Sequence, residues 1–169
     1  MSLINGLPAH VLLVHFVVVF VPLTALALVA CAIWPAVAQR IGIALPLFAL
    51  VTFASVPLTT NAGEWLEGHV DSNALVRRHT ELGDGLLPWA AGLFVLAVAV
   101  WWVARRNAAA GTSRSARRSL APARIAAVLL SLVVATGAVV DVYRIGDSGA
   151  KAAWHDGFSK TASGDGGDH

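Results

Sequence analysis

The sequence predicts an all-α protein: a polytopic four-transmembrane-helix bundle with a short amphipathic helix in its outer loop. Three observations predict it. Residues of hydrophobic type make up 57% of the chain and charged residues only 13%, with a mean hydropathy of +0.70, far from the balance of a soluble domain of this length. Four apolar runs, at about 9–34, 41–60, 86–104 and 125–143, are each near the ~20 residues needed to cross a ~30 Å hydrocarbon core. The segments between them are sharply polarised in charge. The loop at Arg40 and the loop 105–124 carry seven of the twelve basic residues and no acid, and all ten acids fall on the other side.

That asymmetry sets the expected orientation, because loops rich in arginine stay in the cytoplasm. The N-terminus, the outer loop 61–85 and the tail after Tyr143 then face outward, as expected of a multi-pass protein of a bacterial plasma membrane with both termini extracytoplasmic. The first span has no basic residue before it, so it reads as a retained helix and not as a cleavable signal peptide. Residues 1–160 read as one domain and 161–169, rich in Gly and Asp, as a disordered tail.

Taken in order, the first span holds Cys31, the single cysteine, which has no partner for an intramolecular disulfide and reads as a packing residue. Pro22, Pro46 and Pro57 remove backbone donors within or near the ends of the first two spans, a loss that membrane helices tolerate. In the outer loop, 73–83 forms an amphipathic helix when its residues are set at about 100° each. Leu75, Val76, His79 and Leu82 fall on one face and Arg77, Arg78, Thr80 and Glu81 on the other. His79 then points inward while the segment lies flat on the bundle. Trp34, Trp89, Trp101, Trp102 and Tyr143 lie toward span ends, where amphipathic rings settle at the headgroups. Arg105, Arg106, Arg114, Arg117, Arg118 and Arg124 fix topology and meet anionic lipid. The pI of about 9.2 reflects this loop and does not indicate nucleic-acid binding.

The candidate chemistry lies on the acidic side, where all six histidines, including the terminal His169, gather. An ionisable group inside a span is costly and usually faces the bundle interior, which singles out His15. His10 lies five residues earlier, about 7.5 Å along the axis and about 140° around the helix, so the two cannot both point at one small ion. Asp141, near the outer end of the fourth span, is the other intramembrane charge, with His15, His10 or Arg144 as its simplest partners. Glu64 and Glu67 are helical neighbours with His69 just beyond. Zinc or copper accepts imidazole and carboxylate together, and His10, His69, His79, Glu64 and Glu67 are the donors available, without any recognised ligand spacing. A b-type haem needs only one or two imidazoles from facing helices. His15 with His79 is the preferred pair, with His10 and His79 or His155 as substitutes, and Asp141, Glu64 and Glu81 in supporting positions. No serine or cysteine sits beside a histidine in the manner of a catalytic triad.

The stretches LPAHVLLVHFVVVFVPL (7–23), TTNAGEWLE, RRHTELGD and VYRIGDSGAKAAW together resemble the bacterial membrane proteins of the DUF2231 family, a domain of unknown function. The two histidines five apart followed by Phe16, and His79 ahead of Gly83, are the most specific points of likeness. The resemblance implies a four-helix membrane module without an assigned activity, some members being joined to Rieske iron–sulfur domains, and hence electron transfer at the outer face. This chain lacks the cysteines of such a domain. It departs from the family pattern at Asp141, where relatives often carry another polar residue or histidine, and at Val11, where they carry proline. Three readings follow: a haem-binding electron-transfer module with a redox partner protein, a divalent-metal site for sensing or transport, and a non-enzymatic partner or assembly subunit that needs no cofactor. Small residues such as Ala90, Ala91, Gly92 and Ala97 would permit homo-oligomer contact.

Overall fold

The computed structural model describes residues 3–4, 7–68, 74–109 and 121–154. A two-residue antiparallel ladder, β1 (Leu3–Ile4) with β2 (Leu7–Pro8), leads into five helices: α1 (Ala9–Ile33), α2 (Pro35–Ile41), α3 (Ala44–Glu67), α4 (Ala74–Ala109) and α5 (Ala121–Trp154). Four of them, α1, α3, α4 and α5, are long and apolar enough to cross a membrane. Helices are the required solution, because a backbone in hydrocarbon must satisfy its N–H and C=O groups within the segment.

Each of the four buries a seam whose spacing alternates four and three. In α3 it runs Leu45, Ala49, Thr52, Val56, Thr59; in α4 it runs Leu86, Ala90, Leu93, Ala97, Val100; in α5 it runs Ser131, Ala135, Ala138, Val142. In α1 the members are Val17, Val21, Thr24 and Leu28. This 3.5-residue period is the one that keeps a seam facing its neighbours in left-handed bundles. The seams are rich in Ala, Ser and Thr, as expected where lipid offers no hydrophobic drive and close backbone approach supplies the attraction instead. Bulky side chains such as Leu26, Leu58, Val95 and Val133 face outward. Midway along, Thr24 Oγ1 and Thr52 Oγ1 lie 2.7 Å apart between α1 and α3, one donating to the other while its partner donates to a carbonyl of its own helix, Phe20 O or Phe48 O.

The helices are arranged as two hairpins. The first, α1 and α3, is joined through α2; the second is α4 and α5. Around the bundle the order is α1, α3, α4, α5, with α5 closing on α1 and with α1 and α4 meeting across the diagonal. Pro35 opens α2 after Trp34 leaves the helical conformation, and Gly42, at φ +54°, makes the turn into α3; only glycine occupies that region without strain. At this end of the bundle Arg124 donates to the Ile33 carbonyl at 2.7 Å, satisfying an acceptor left over at the end of α1. Arg105 and Arg106 lie over Trp101 and Trp102.

The loop helix differs from expectation in one respect. Residues from 74 are helical, but they form the first turns of α4 and not a separate element lying flat. The reason is phase: Leu75, His79 and Leu82 lead into Leu86, Ala90 and Leu93 at spacings of four, three, four, four and three, an average of 3.6 residues that keeps them on one face of an unbroken helix, so one continuous helix serves both. At 36 and 34 residues, α4 and α5 are about 50 Å long. They therefore project well past a ~30 Å core. His69, His155, Arg114, Arg117, Arg118 and the tail 161–169 lie outside the described residues.

The tightest approach joins α4 to α5, where the Trp89 ring lies against the backbone of Gly137 so closely that a Cβ there would overlap it. Gly137→Ala is expected to lower stability by about 1–3 kcal/mol through overpacking. Gly83→Ala, where a methyl group meets nothing, should be neutral or slightly stabilising, as helix propensity favours alanine. Parallel thermal melts in detergent check both.

Candidate functional site

At the end of the bundle opposite the arginines, two imidazoles meet across the diagonal. His10, in the first turn of α1, and His79, in the second turn of α4, have ring centroids 6.2 Å apart and planes at 84°. Both are half-buried. His10 continues the α1 seam backward from Val17 by seven residues, two turns, which is why it faces inward.

Each ring is fixed through the same atom. His10 Nδ1 lies 3.0 Å from the Thr59 carbonyl of α3. His79 Nδ1 lies 3.2 Å from the Ile145 carbonyl and 3.0 Å from Ser148 Oγ, both on α5, and Ser148 itself donates to Ile145 O at 2.8 Å. A carbonyl only accepts, so Nδ1 is the protonated nitrogen of both rings. In the neutral imidazole the lone pair then sits on Nε2. Among the described residues neither Nε2 has a hydrogen-bond partner. A backbone-bound Nδ1–H with a free Nε2 is the arrangement typical of imidazoles that ligate metal, since the hydrogen bond fixes tautomer and ring direction.

The backbone makes room for both rings. A Cβ on Gly63 would come within 3.0 Å of the His10 ring, and one on Gly149 within 2.9 Å of the His79 ring. Neither glycine, nor the Thr59 and Ile145 carbonyls, nor Ser148 was marked by sequence reasoning. The signal available was their i, i+4 spacing, Thr59 to Gly63 and Ile145 to Gly149, combined with the seam phase.

The other expected residues are dispersed. His15 is not beside His79: it sits on an exposed face of α1 with its Nδ1 2.6 Å from Val11 O of the same helix. The 140° between His10 and His15 explains this, since only one of them can follow the seam. Glu64 and Glu81 are exposed and Glu67 is half-buried. Among the described residues no three His, Cys, Asp or Glu side chains converge on a metal position. Asp141 packs near Gly85, one turn before Ile145. Its buried Oδ2 has no hydrogen-bond partner among the described residues, so the expected pairing with His10, His15 or Arg144 is not made through that atom. Asp147 and Lys151 form a 2.6 Å ion pair on the exposed face of α5, too solvated to contribute much. A cleft of about 160 Å³ beside it is lined by Leu75, Arg78, Leu82, Arg144 and Ser148, among others. Its charged side chains, Arg78, Arg144, Asp147 and Lys151, are exposed, so the imidazole pair and not the cleft is the candidate site.

Fold and site define an integral membrane protein with four candidate spans and a pair of imidazoles at one end. The chain belongs to the family described as "Predicted membrane protein (DUF2231)", which matches over residues 6–162, as the resemblance in its motifs implied. No curated protein and no solved structure matches it.

An unpartnered carboxylate oxygen in a membrane bundle is a cost that the amide does not carry in full. Asp141→Asn is expected to raise stability by about 1 kcal/mol or more, seen as a higher melting temperature in detergent. An unchanged or lower melt would mean that the carboxylate has a partner.

Proposed function

We propose that the protein is a membrane electron-transfer module that holds b-type haem near the extracytoplasmic surface, with His10 and His79 as the residues that would bind its iron. The observation that carries this reading is the shared tautomer: both rings are fixed through Nδ1 to backbone carbonyls of neighbouring helices, which leaves both Nε2 atoms as donors. The donor set fits. Two imidazoles whose ring centroids lie 6.2 Å apart are the residues that would hold the iron. Haem would supply a one-electron iron couple. The chain's own contribution is to fix the tautomer and direction of two imidazoles through their Nδ1 hydrogen bonds to helix carbonyls.

The pairing differs from the His15 and His79 preferred on sequence alone and takes up the substitute, His10 with His79. The arginine-rich loops support an extracytoplasmic position for this end, because loops with excess arginine remain inside. A redox partner protein would then meet the projecting ends of α3, α4 and α5.

A second reading rests on the same bonds. His10 ties α1 to α3 and His79 ties α4 to α5, so the pair serves as two structural pins in a subunit without cofactor. Divalent zinc or copper has weaker support, because only two described donors converge and further ligands would have to come from water or from residues such as His69.

Oxidised and dithionite-reduced absorption spectra of protein purified from its own membrane, with elemental analysis of the same sample, separate the readings. The expected result is a Soret band and visible bands that sharpen on reduction, lost in His10→Ala and in His79→Ala and retained in His15→Ala. Protein that stays colourless after haem supplementation overturns the haem reading. Stoichiometric zinc or copper would replace it with the metal reading, and neither signal would leave the structural pins.

A further inference from the structure

The two halves of the site repeat each other. In the first hairpin, the imidazole of the leading helix donates from Nδ1 to a carbonyl of the returning helix, Thr59 O, and lies on the glycine four residues later, Gly63. In the second hairpin the leading helix presents His79, the carbonyl is Ile145 O, and the glycine four residues later is Gly149. In both, Cε1 and Nδ1 are the ring atoms nearest the position a Cβ would take. The bundle order α1, α3, α4, α5 is unchanged when α1 is exchanged with α4 and α3 with α5. Such an exchange is a two-fold rotation about the bundle axis, and His10 and His79 meet where that axis emerges. No fixed period marks this in the sequence. The histidines lie 69 residues apart and the glycines 86 apart, because the chain between histidine and glycine is longer in the second hairpin.

We propose that the site is a pair of equivalent half-sites about this pseudo-two-fold, in which Gly63 and Gly149 are positioning residues that seat the two imidazoles for one shared ligand. The physical basis is room. A methyl group at either glycine would meet an imidazole at about 3 Å, closer than ordinary van der Waals contact, and Nδ1, bonded to a carbonyl one turn earlier on the same helix, is among the ring atoms it would meet. The ring must therefore tilt or lengthen that bond, and either change moves Nε2 from its present position. Two-fold equivalence further requires that the two glycines have the same effect. Gly83 and Gly146, in α4 and α5, are the controls, since an added Cβ there meets nothing within 4 Å. The inference deepens the haem reading and rests on it for the identity of the ligand.

The experiment uses the full chain in detergent, loaded with haem b, and compares Gly63→Ala, Gly149→Ala, Gly83→Ala and Gly146→Ala. Haem retained per protein and the ratio of low-spin to high-spin ferric bands are read beside helix content and melting temperature. The first two variants are expected to retain haem about tenfold less well, as loss of a supporting contact does at metal sites, and to shift from the low-spin bands of two axial imidazoles toward high-spin bands. Their helix content should stay unchanged. Both controls should match wild type. If either Gly63→Ala or Gly149→Ala keeps wild-type retention and spin state, the proposal is overturned. If wild type itself takes up no haem, the haem reading fails, and nitrogen-15 spectra of histidine-labelled protein without cofactor decide the half-sites independently. Each glycine variant must then shift the imidazole resonances of its own histidine, His10 for Gly63 and His79 for Gly149, and leave the other in place. Resonances that do not move, or that move together, overturn it.

Discussion

Close approach of helix backbones along four seams of small side chains is the constraint on which the rest of this protein depends. In lipid the apolar exterior gains nothing from burial against another apolar surface, so the helices hold together by contact and by hydrogen bonds between them. Alanine, serine and threonine at four-three spacing allow that contact, with Gly92 and Gly137 beside the seams. Trp89 against Gly137, Gly92 against Val134 and the Thr24 to Thr52 bond are its clearest points. The imidazole site is the same device at the bundle's end. A ring replaces the aliphatic side chain, a glycine admits it, and a helix carbonyl orients it.

This dependence gives the histidines a defined protonation geometry. Helix carbonyls near a terminus or beside a close neighbour have lone pairs to spare, and an Nδ1–H that reaches one fixes the tautomer. Two such rings converge because α1 and α4, the leading helices of the two hairpins, share the diagonal. The opposite end uses its polar groups differently. There arginines bond a helix-terminal carbonyl or lie over tryptophan rings, which anchors the helix ends.

Asp141 does not follow this pattern. It shares the neighbourhood of the imidazoles, one turn from Ile145, yet its inner oxygen is unpartnered among the described residues. Among the described residues, Thr59 and Ser148, the buried hydroxyls at this end, each satisfy themselves on a carbonyl of their own helix. A carboxylate has no hydrogen to donate and cannot use that acceptor.

What the sequence determined by itself was everything governed by composition along one helix. Apolar length gave the four spans, the arginine pattern gave an expected orientation, and the hydrophobic stripe at 73–83 turned His79 inward, because each of these is a property of consecutive residues. The choice between His10 and His15 lay half within reach: their angular separation showed that only one could face the site, and extending the α1 seam from Val17 and Val21 would have selected His10. What only the tertiary structure decided was which groups from different helices meet. The continuity of the loop helix with α4 required knowing that its stripe and the span's seam share one phase. The roles of Thr59, Ile145, Gly63 and Gly149 required the crossing of helices 49 and 66 residues apart in sequence, and a backbone carbonyl or a missing Cβ carries no side-chain signature by which one chain read alone could reveal it.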